Sequence, residues 1–282
     1  MTATEITGLF NNTGFLSVQV PQDEYLRTIQ MYRIPSFIRK FKDYWKKMEN
    51  VDTTFLPGKV DTRSNIYKDE VEYRVEVPLN LLVKNSGVKI DQLNWESIAA
   101  VLYYILAHRS KCRKITIAHR FHRRDLSSHF NMADDVGYYA GDIPITLDSA
   151  ICNDTTAARE NLVRVRSEMM LGGVEYELLS NLEEIKPSHE ATKVRLNYQP
   201  LSLFMNNNSI HLLSIDTFLY EPDDHMRPYD LDCIIRQNKE RLLFIICYNK
   251  NHYTEDLVQS FVGDWIWNFC GNSRDARLSD SK

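Results

Sequence analysis

Glycine is scarce in this chain, at 10 of 282 residues. No G-x-G-x-x-G and no G-x-x-x-x-G-K-[ST] run occurs, so neither a dinucleotide fingerprint nor a P-loop is present to cradle phosphates. Cysteine is sparse as well, with five residues at 112, 152, 233, 247 and 270 and no C-x-x-C spacing. An odd, scattered set argues against a disulfide framework or a zinc ribbon and fits reduced thiols in a cytoplasmic protein. There is no G-x-S-x-G nucleophile elbow. No apolar run reaches about 18 residues, the length a membrane-spanning helix needs. The opening "MTATEITGLF" lacks the basic-then-apolar order of a signal peptide. A net charge of −4 gives no electrostatic pull toward nucleic acid. Internal repeats and low-complexity tracts are absent.

What is present is ordinary in bulk: 43% hydrophobic and 26% charged residues, enough to bury one large core or two small ones. Residues 1–22 read as irregular, and 23–70 as a helical lead-in and linker. Within that stretch Phe37, Ile38, Phe41, Tyr44, Trp45 and Met48 recur at helical spacing, while Arg39, Lys40, Lys42, Lys46 and Lys47 fill the other face. A basic amphipathic helix can touch membrane or RNA, but a solvated face over a buried one is the plainer reading. "LPGK" reads as a turn in a surface linker. Val71, Tyr73, Val75 and Val77 alternate with Glu72, Arg74 and Glu76, which is strand periodicity, and Pro78 ends it.

Next comes "LNWESIAAVLYYILAH", apolar nearly all round and therefore an interior helix, with Asn94 as its cap and Glu96 in its first turn. "KITIA" (114–118) reads as a short buried strand. "DDVGYYAGDIPITLD" crosses into an extended segment. Helices are expected over 154–171, capped by Asp154 or Thr155, and over Val174 to Asn181. "TKVRLNYQ" alternates, "SIHLLSIDTFLY" is mixed, and "PYDLDCIIR" with "RLLFIICY" forms a hairpin about 237–240. The run Leu242 to Tyr248 reads as a central strand, and Thr254 caps a last helix with Leu257, Phe261, Trp265 and Phe269 on one face. Residues 271–282 read as a disordered tail. Helices alternating with strands, then a late antiparallel group, predict an α/β sandwich.

The densest chemistry is "AHRFHRRDLSSHF", residues 118–130. His119 and His122 are three apart and could present two metal ligands on a helix. This segment leaves a strand, however, and the adjoining arginines repel a cation, so no metal site is expected. His122 is the candidate for acid–base chemistry, since imidazole titrates near neutral pH. The competing reading is that these side chains pair with one another or with backbone at the strand end.

The order of motifs says more than any one of them. "FKDYWKKMEN", "FHRRDL", "DDVGYYAGDIPITL", "GGVEYELL", "VRLNYQ" and "RPYDLDCIIRQNKERLLFIICYNKNHYTEDLVQSF" together resemble the C-terminal lobe of nonribosomal peptide synthetase condensation and epimerization domains, the epimerization type more closely. The likeness runs from about residue 36 to 270. It implies a single chloramphenicol-acetyltransferase-like α/β lobe over 71–270, a mixed sheet packed against helices. It also implies a reaction tunnel between two such lobes, reached by the phosphopantetheine arm of a carrier protein, with no bound cofactor. Its implied channel residues are Arg120, Arg124, Asp125, Gly137, Tyr138, Tyr139, Tyr176 and Asn197. The family's His-His-x-x-x-Asp-Gly motif belongs to the other lobe, and this sequence has neither a His-His nor an Asp-Gly pair. Aligning His122 to Asp125 with the end of the epimerization motif Glu-Gly-His-Gly-Arg-Glu puts Arg120 where its glutamate stands. A guanidinium cannot abstract a proton near neutral pH.

Three functions follow from that resemblance. One is a condensation-type half that acts with a partner supplying the histidine lobe. Another is a non-catalytic module that recruits carrier proteins or tailoring enzymes. The third is an inactive truncated remnant. An apolar face left over from the missing lobe would favour a homodimer.

Overall fold

The computed structural model describes residues 35–48, 54, 56–59, 64–81, 93–110, 112–122, 140–169, 173–181, 185–200 and 224–269. The expectations for residues 1–34, for "SIHLLSIDTFLY" and for the tail lie outside them. Among the described residues, six strands form one mixed sheet in the order β1-β6-β5-β4-β2-β3. They are β1 (Glu70–Pro78), β2 (Lys114–His122), β3 (Ala140–Asp148), β4 (Val194–Gln199), β5 (Leu231–Gln237) and β6 (Arg241–Asn249). β2, β4 and β5 are neighbours running parallel, while β1–β6, β5–β6 and β2–β3 pair antiparallel.

Helices α1 (Pro35–Met48), α2 (Trp95–Arg109), α3 (Ser149–Cys152), α4 (Thr155–Glu168), α5 (Val174–Asn181), α6 (Ser188–Ala191) and α7 (Glu255–Phe269) accompany the sheet. α2 starts where expected: the Asn94 side chain accepts from the Ser97 N–H, meeting one orphan donor of the first turn. Ten of its 15 residues are buried, which its unbroken apolar sequence requires. Asp154 caps α4, accepting from the Thr156 and Ala157 N–H groups. The helix ends at Glu168, short of the expected 171.

The pleat sorts the sheet into two faces. Ile115, Ile117, Ile143, Ile145, Leu196 and Phe244 point to the helices and are buried. α7 seats Trp265 edge-on against Phe244, with ring centroids 5.4 Å apart. α1 buries Phe41 and Trp45 in the same core. Its Arg39, Lys40, Lys46 and Lys47 face solvent, as a solvated face should. Thr54 and Leu56, inside the stretch read as a surface linker, are fully buried. The Thr54 side chain accepts from the Thr116 N–H, and its carbonyl accepts from Lys193 N–H, so this segment wedges between β2 and β4. That wedge accounts for the short β2–β4 pairing, which is limited to Ala118↔Arg195 and His119↔Leu196.

Gly173 opens α5 with φ +94, a left-handed backbone that glycine tolerates and other residues rarely adopt. A Cβ there would also lie 1.8 Å from Ile143 Cδ1. No helix among the described residues is long and apolar enough to cross a membrane.

Candidate functional site

β1, β2, β4 and β5 all run in one direction, so their carboxyl ends (Pro78, His122, Gln199 and Gln237) lie at one end of the sheet. Open α/β sheets bind ligands outside such ends. The described part of the sequence cluster, His119 to His122, falls here. β2 runs four residues beyond the expected "KITIA", because β3 pairs with it as far as His122↔Ala140. Arg124, Asp125, Gly137, Tyr138 and Tyr139 lie outside the described residues, as does the side chain of His122.

Alternation along β2 sends His119 and Arg120 to opposite faces. His119 is completely buried among the helices. The Trp95 indole N–H donates to its Nδ1 at 3.0 Å. Tyr103 gives its own proton to the Ile145 carbonyl at 2.6 Å, so its oxygen accepts from His119 Nε2–H at 3.1 Å. Both ring nitrogens are thereby assigned, and the imidazole is neutral with its proton on Nε2. Burial pushes its pKa down to about 3 against a smaller opposing pull from Asp142. Phe121 and Trp95 meet edge-on at 4.9 Å, with the Arg166 guanidinium over both rings and paired to Glu96 at 3.1 Å. His119 therefore fixes the core beneath the strand end. Among the described residues no group of three His, Cys, Asp or Glu could hold a metal.

Arg120 faces the other way and is held by two bonds of 2.8 Å to Asp142, its direct cross-strand partner. Asp142 also receives Arg195 at 3.4 Å and the Tyr229 hydroxyl at 3.3 Å. Arg195 clamps Asp232, its register partner on β5, through both Nε and Nη2. Its guanidinium lies 5.1 Å from the centroid of the Tyr229 ring, whose hydroxyl meets Ser188 at 2.6 Å. A charged strip thus crosses four strands as two matched pairs. Burial alone would raise the Asp142 carboxyl, but the hydrogen bonds and charges of Arg120 and Arg195 outweigh it and hold the group below its ordinary range. Asp142 is an ionised acceptor locked to two cations, a poor general base.

Two further sequence candidates are described. Tyr176 is buried in α5; its hydroxyl donates to the Lys186 carbonyl at 2.5 Å and its ring packs 4.9 Å from Trp45. Asn197 stands half-buried on the face of β4 opposite Leu196 and Tyr198, between Arg195 and Gln199. Three buried cysteines are poor nucleophiles: burial pushes the Cys152 thiol up to about 12 and raises Cys233 and Cys247 as well, so all three stay protonated near neutral pH. Sequence reasoning missed Asp142, Arg195, Asp232 and Tyr229. The alternation in "VRLNYQ" and "DLDCII" places Arg195 and Asp232 on a common face, but their pairing depends on register between strands far apart in the chain.

The condensation-domain family model matches residues 16–267. No curated protein matches. Among solved structures, the chain is similar to the epimerization domain from the third module of tyrocidine synthetase B, with TM-score 0.71, 15% identity, and 95% of this chain covering 64% of that one. It is also similar to the X-domain from teicoplanin biosynthesis, with TM-score 0.60, 15% identity and coverages of 87% and 57%. A third is the cyclization-docking bidomain of a nonribosomal peptide synthetase from Sorangium cellulosum, with TM-score 0.62, 13% identity and coverages of 94% and 55%. At such identities the likeness is one of fold. The chain spans less than two thirds of the length of each of these three proteins.

Proposed function

Because the chain belongs to the condensation-domain family, we propose that it is a condensation-type half in cytoplasmic nonribosomal peptide assembly. It handles acyl or peptidyl groups carried on the phosphopantetheine arm of a carrier protein, with a partner supplying the His-His-x-x-x-Asp-Gly lobe. The observation that carries this reading is the chemistry of the end of β2. His119 is buried and neutral, and Arg120 is bound to Asp142. No described group at that strand end is poised to move a proton, and the sequence contains no His-His pair. A histidine supplied by the partner lobe would complete that chemistry. Mixing the purified chain with proteins bearing that motif and with a loaded carrier protein tests the proposal. Complex formation with acyl or peptidyl transfer is expected; no turnover and no complex with any of them would refute it.

A second reading is a non-catalytic recruiting module. One similar structure is the complex of the X-domain and OxyB from teicoplanin biosynthesis, at 14% identity and TM-score 0.58. The self-matched charges on the sheet face suit a scaffold as well as a channel wall. Binding of a carrier protein or tailoring enzyme with no transfer in any mixture would favour this reading over the first.

A further inference from the structure

We propose that the outer edge of β1 is a self-pairing surface, on which a second copy of this chain docks antiparallel about a dyad through Tyr73. This inference is independent of the carrier-linked reading above. β1 and β3 are the two edges of the sheet, and among the described residues neither has a strand on its outer side. In an antiparallel ladder, alternate residues turn their N–H and C=O toward the partner strand and the others turn them away. On β1 the phase is fixed at both ends. The Lys250 N–H donates to the Asp69 carbonyl at 3.0 Å, and the Leu79 N–H donates to the Glu240 carbonyl at 2.7 Å. Odd-numbered residues therefore bond to β6, and Glu72, Arg74 and Glu76 present their backbone groups outward. On β3 the Ser149 N–H donates to the Arg113 carbonyl at 2.8 Å, so Asp142, Pro144 and Thr146 point outward there. Pro144 has no N–H and blunts that edge at its centre. β1 carries its one proline at its last residue, Pro78.

The side chains of β1 choose both the occupant and its register. With Tyr73 opposite its own equivalent, Glu72 faces Arg74 of the second copy and Val71 faces Val75, each twice by symmetry. Glu72 and Arg74 then form a hydrogen-bonded pair that exchanges both backbone bonds, and the two tyrosines meet at the closer, non-hydrogen-bonded position. Arg74 Nε already donates to Glu72 within the strand at 2.8 Å, so the paired strands carry an alternating ring of glutamate and arginine. Glu70 would face Glu76, but each is matched within its own chain, Glu70 by Arg227 at 2.6 Å and Glu76 by Arg241. The Glu70 N–H is taken by the Tyr67 carbonyl, which ends the ladder there. Moving the dyad to Arg74 also satisfies the backbone, but it sets Arg74 against Arg74 and Glu72 against Glu76, which like charges oppose. Val71, Tyr73 and Val75 are partly buried against the core, and pairing covers more of their remaining surface.

Sedimentation of the full chain over a concentration series tests this, and a shift from monomer to dimer is expected. Arg74→Pro removes a donor from the outer edge and none from the β1–β6 ladder. It should abolish the dimer while circular dichroism and melting of the monomer stay native. Glu72→Arg should weaken the dimer about tenfold, because symmetry opposes two like-charged pairs. Adding Arg74→Glu restores opposite charges and should recover the dimer. Under mild oxidation Tyr73→Cys should give covalent dimer above the wild-type level, since paired Cβ atoms at that position lie within disulfide range; Arg74→Cys should not. Wild type that stays monomeric at about 100 µM would overturn the proposal, as would a dimer that survives Arg74→Pro or cross-links through Arg74→Cys instead. Monomeric wild type whose binding to the partner lobe is lost in Arg74→Pro would give the edge to that lobe and overturn the second copy as its occupant.

Discussion

Replacing Asp142 by asparagine removes the charge at the centre of the sheet-face strip while keeping its shape. In the native protein this carboxylate accepts two bonds of 2.8 Å from Arg120 and longer ones from Arg195 and Tyr229. The side chains are 15% exposed for Asp142 and Arg195 and 26% for Arg120. Breaking a fully buried pair costs about 3–5 kcal/mol, whereas an exposed one is worth about 0–1. Arg195 keeps Asp232, Arg120 loses the charge at its two shortest bonds, and asparagine still offers one acceptor oxygen. About 2 kcal/mol is the result, or roughly 4–8 °C in melting temperature for a body of this size.

The pH dependence gives a second handle. The folded carboxyl titrates below its ordinary 3.8, so its contribution is fully present above that value and lost as pH falls through the folded one. The gap between wild type and Asp142→Asn should therefore hold from neutral pH to about 5 and close at lower pH. Thermal melts by circular dichroism at several pH values would measure it. A gap under 1 °C at pH 7, or one that widens on acidification, would refute the idea that two arginines are tied down by this carboxylate.

The buried imidazole leads to a slope of opposite origin. His119 stays neutral in the folded chain until about pH 3, whereas an unfolded imidazole protonates near 6.5. Acidification between those values should cost up to about 1.4 kcal/mol per pH unit, and His119→Gln should flatten the dependence. An NMR titration in which the His119 ring shifts near pH 6.5 would refute a buried imidazole held neutral. Gly173→Ala should destabilise by about 2–3 kcal/mol through both positive φ and collision with Ile143. Adding Ile143→Ala should not restore wild-type stability, because the left-handed backbone strain remains; chemical denaturation measures both variants.

Local elements were legible where one physical cue decided them. The Asn94 cap before an all-apolar run gave α2, and the period of two in "VEYRVEV" gave β1. The stretch from Val174 to Asn181 is helical as expected. The β5–β6 hairpin falls at its predicted turn, and β6 has a partner on each side, as a central strand should. β2 was underestimated. "HRFH" offers a polar pattern that fits a strand end or a loop equally well, and only the pairing partner, β3, extends it to His122. The candidate site was partly legible. The described part of the cluster, His119 to His122, stands at a strand end, but Arg120 pairs with Asp142 of β3 and not with another member of the cluster. The motif order gave the family, which the match over residues 16–267 bears out.

Sequence alone determined which segments could bury an apolar face, because periodicity and capping act over a few residues and need no distant partner. It also excluded a His-His-x-x-x-Asp-Gly motif within these 282 residues. The tertiary structure decided what each polar side chain of the cluster is for. His119 became a neutral core residue because Trp95 and Tyr103, 24 and 16 residues away, close on its two nitrogens. Arg120 became one half of an ion pair because antiparallel register sets it opposite Asp142, and Arg195 found Asp232 through parallel register. A charge's role is set by what lies within a few ångströms of it, and those neighbours come from strands that only folding brings together.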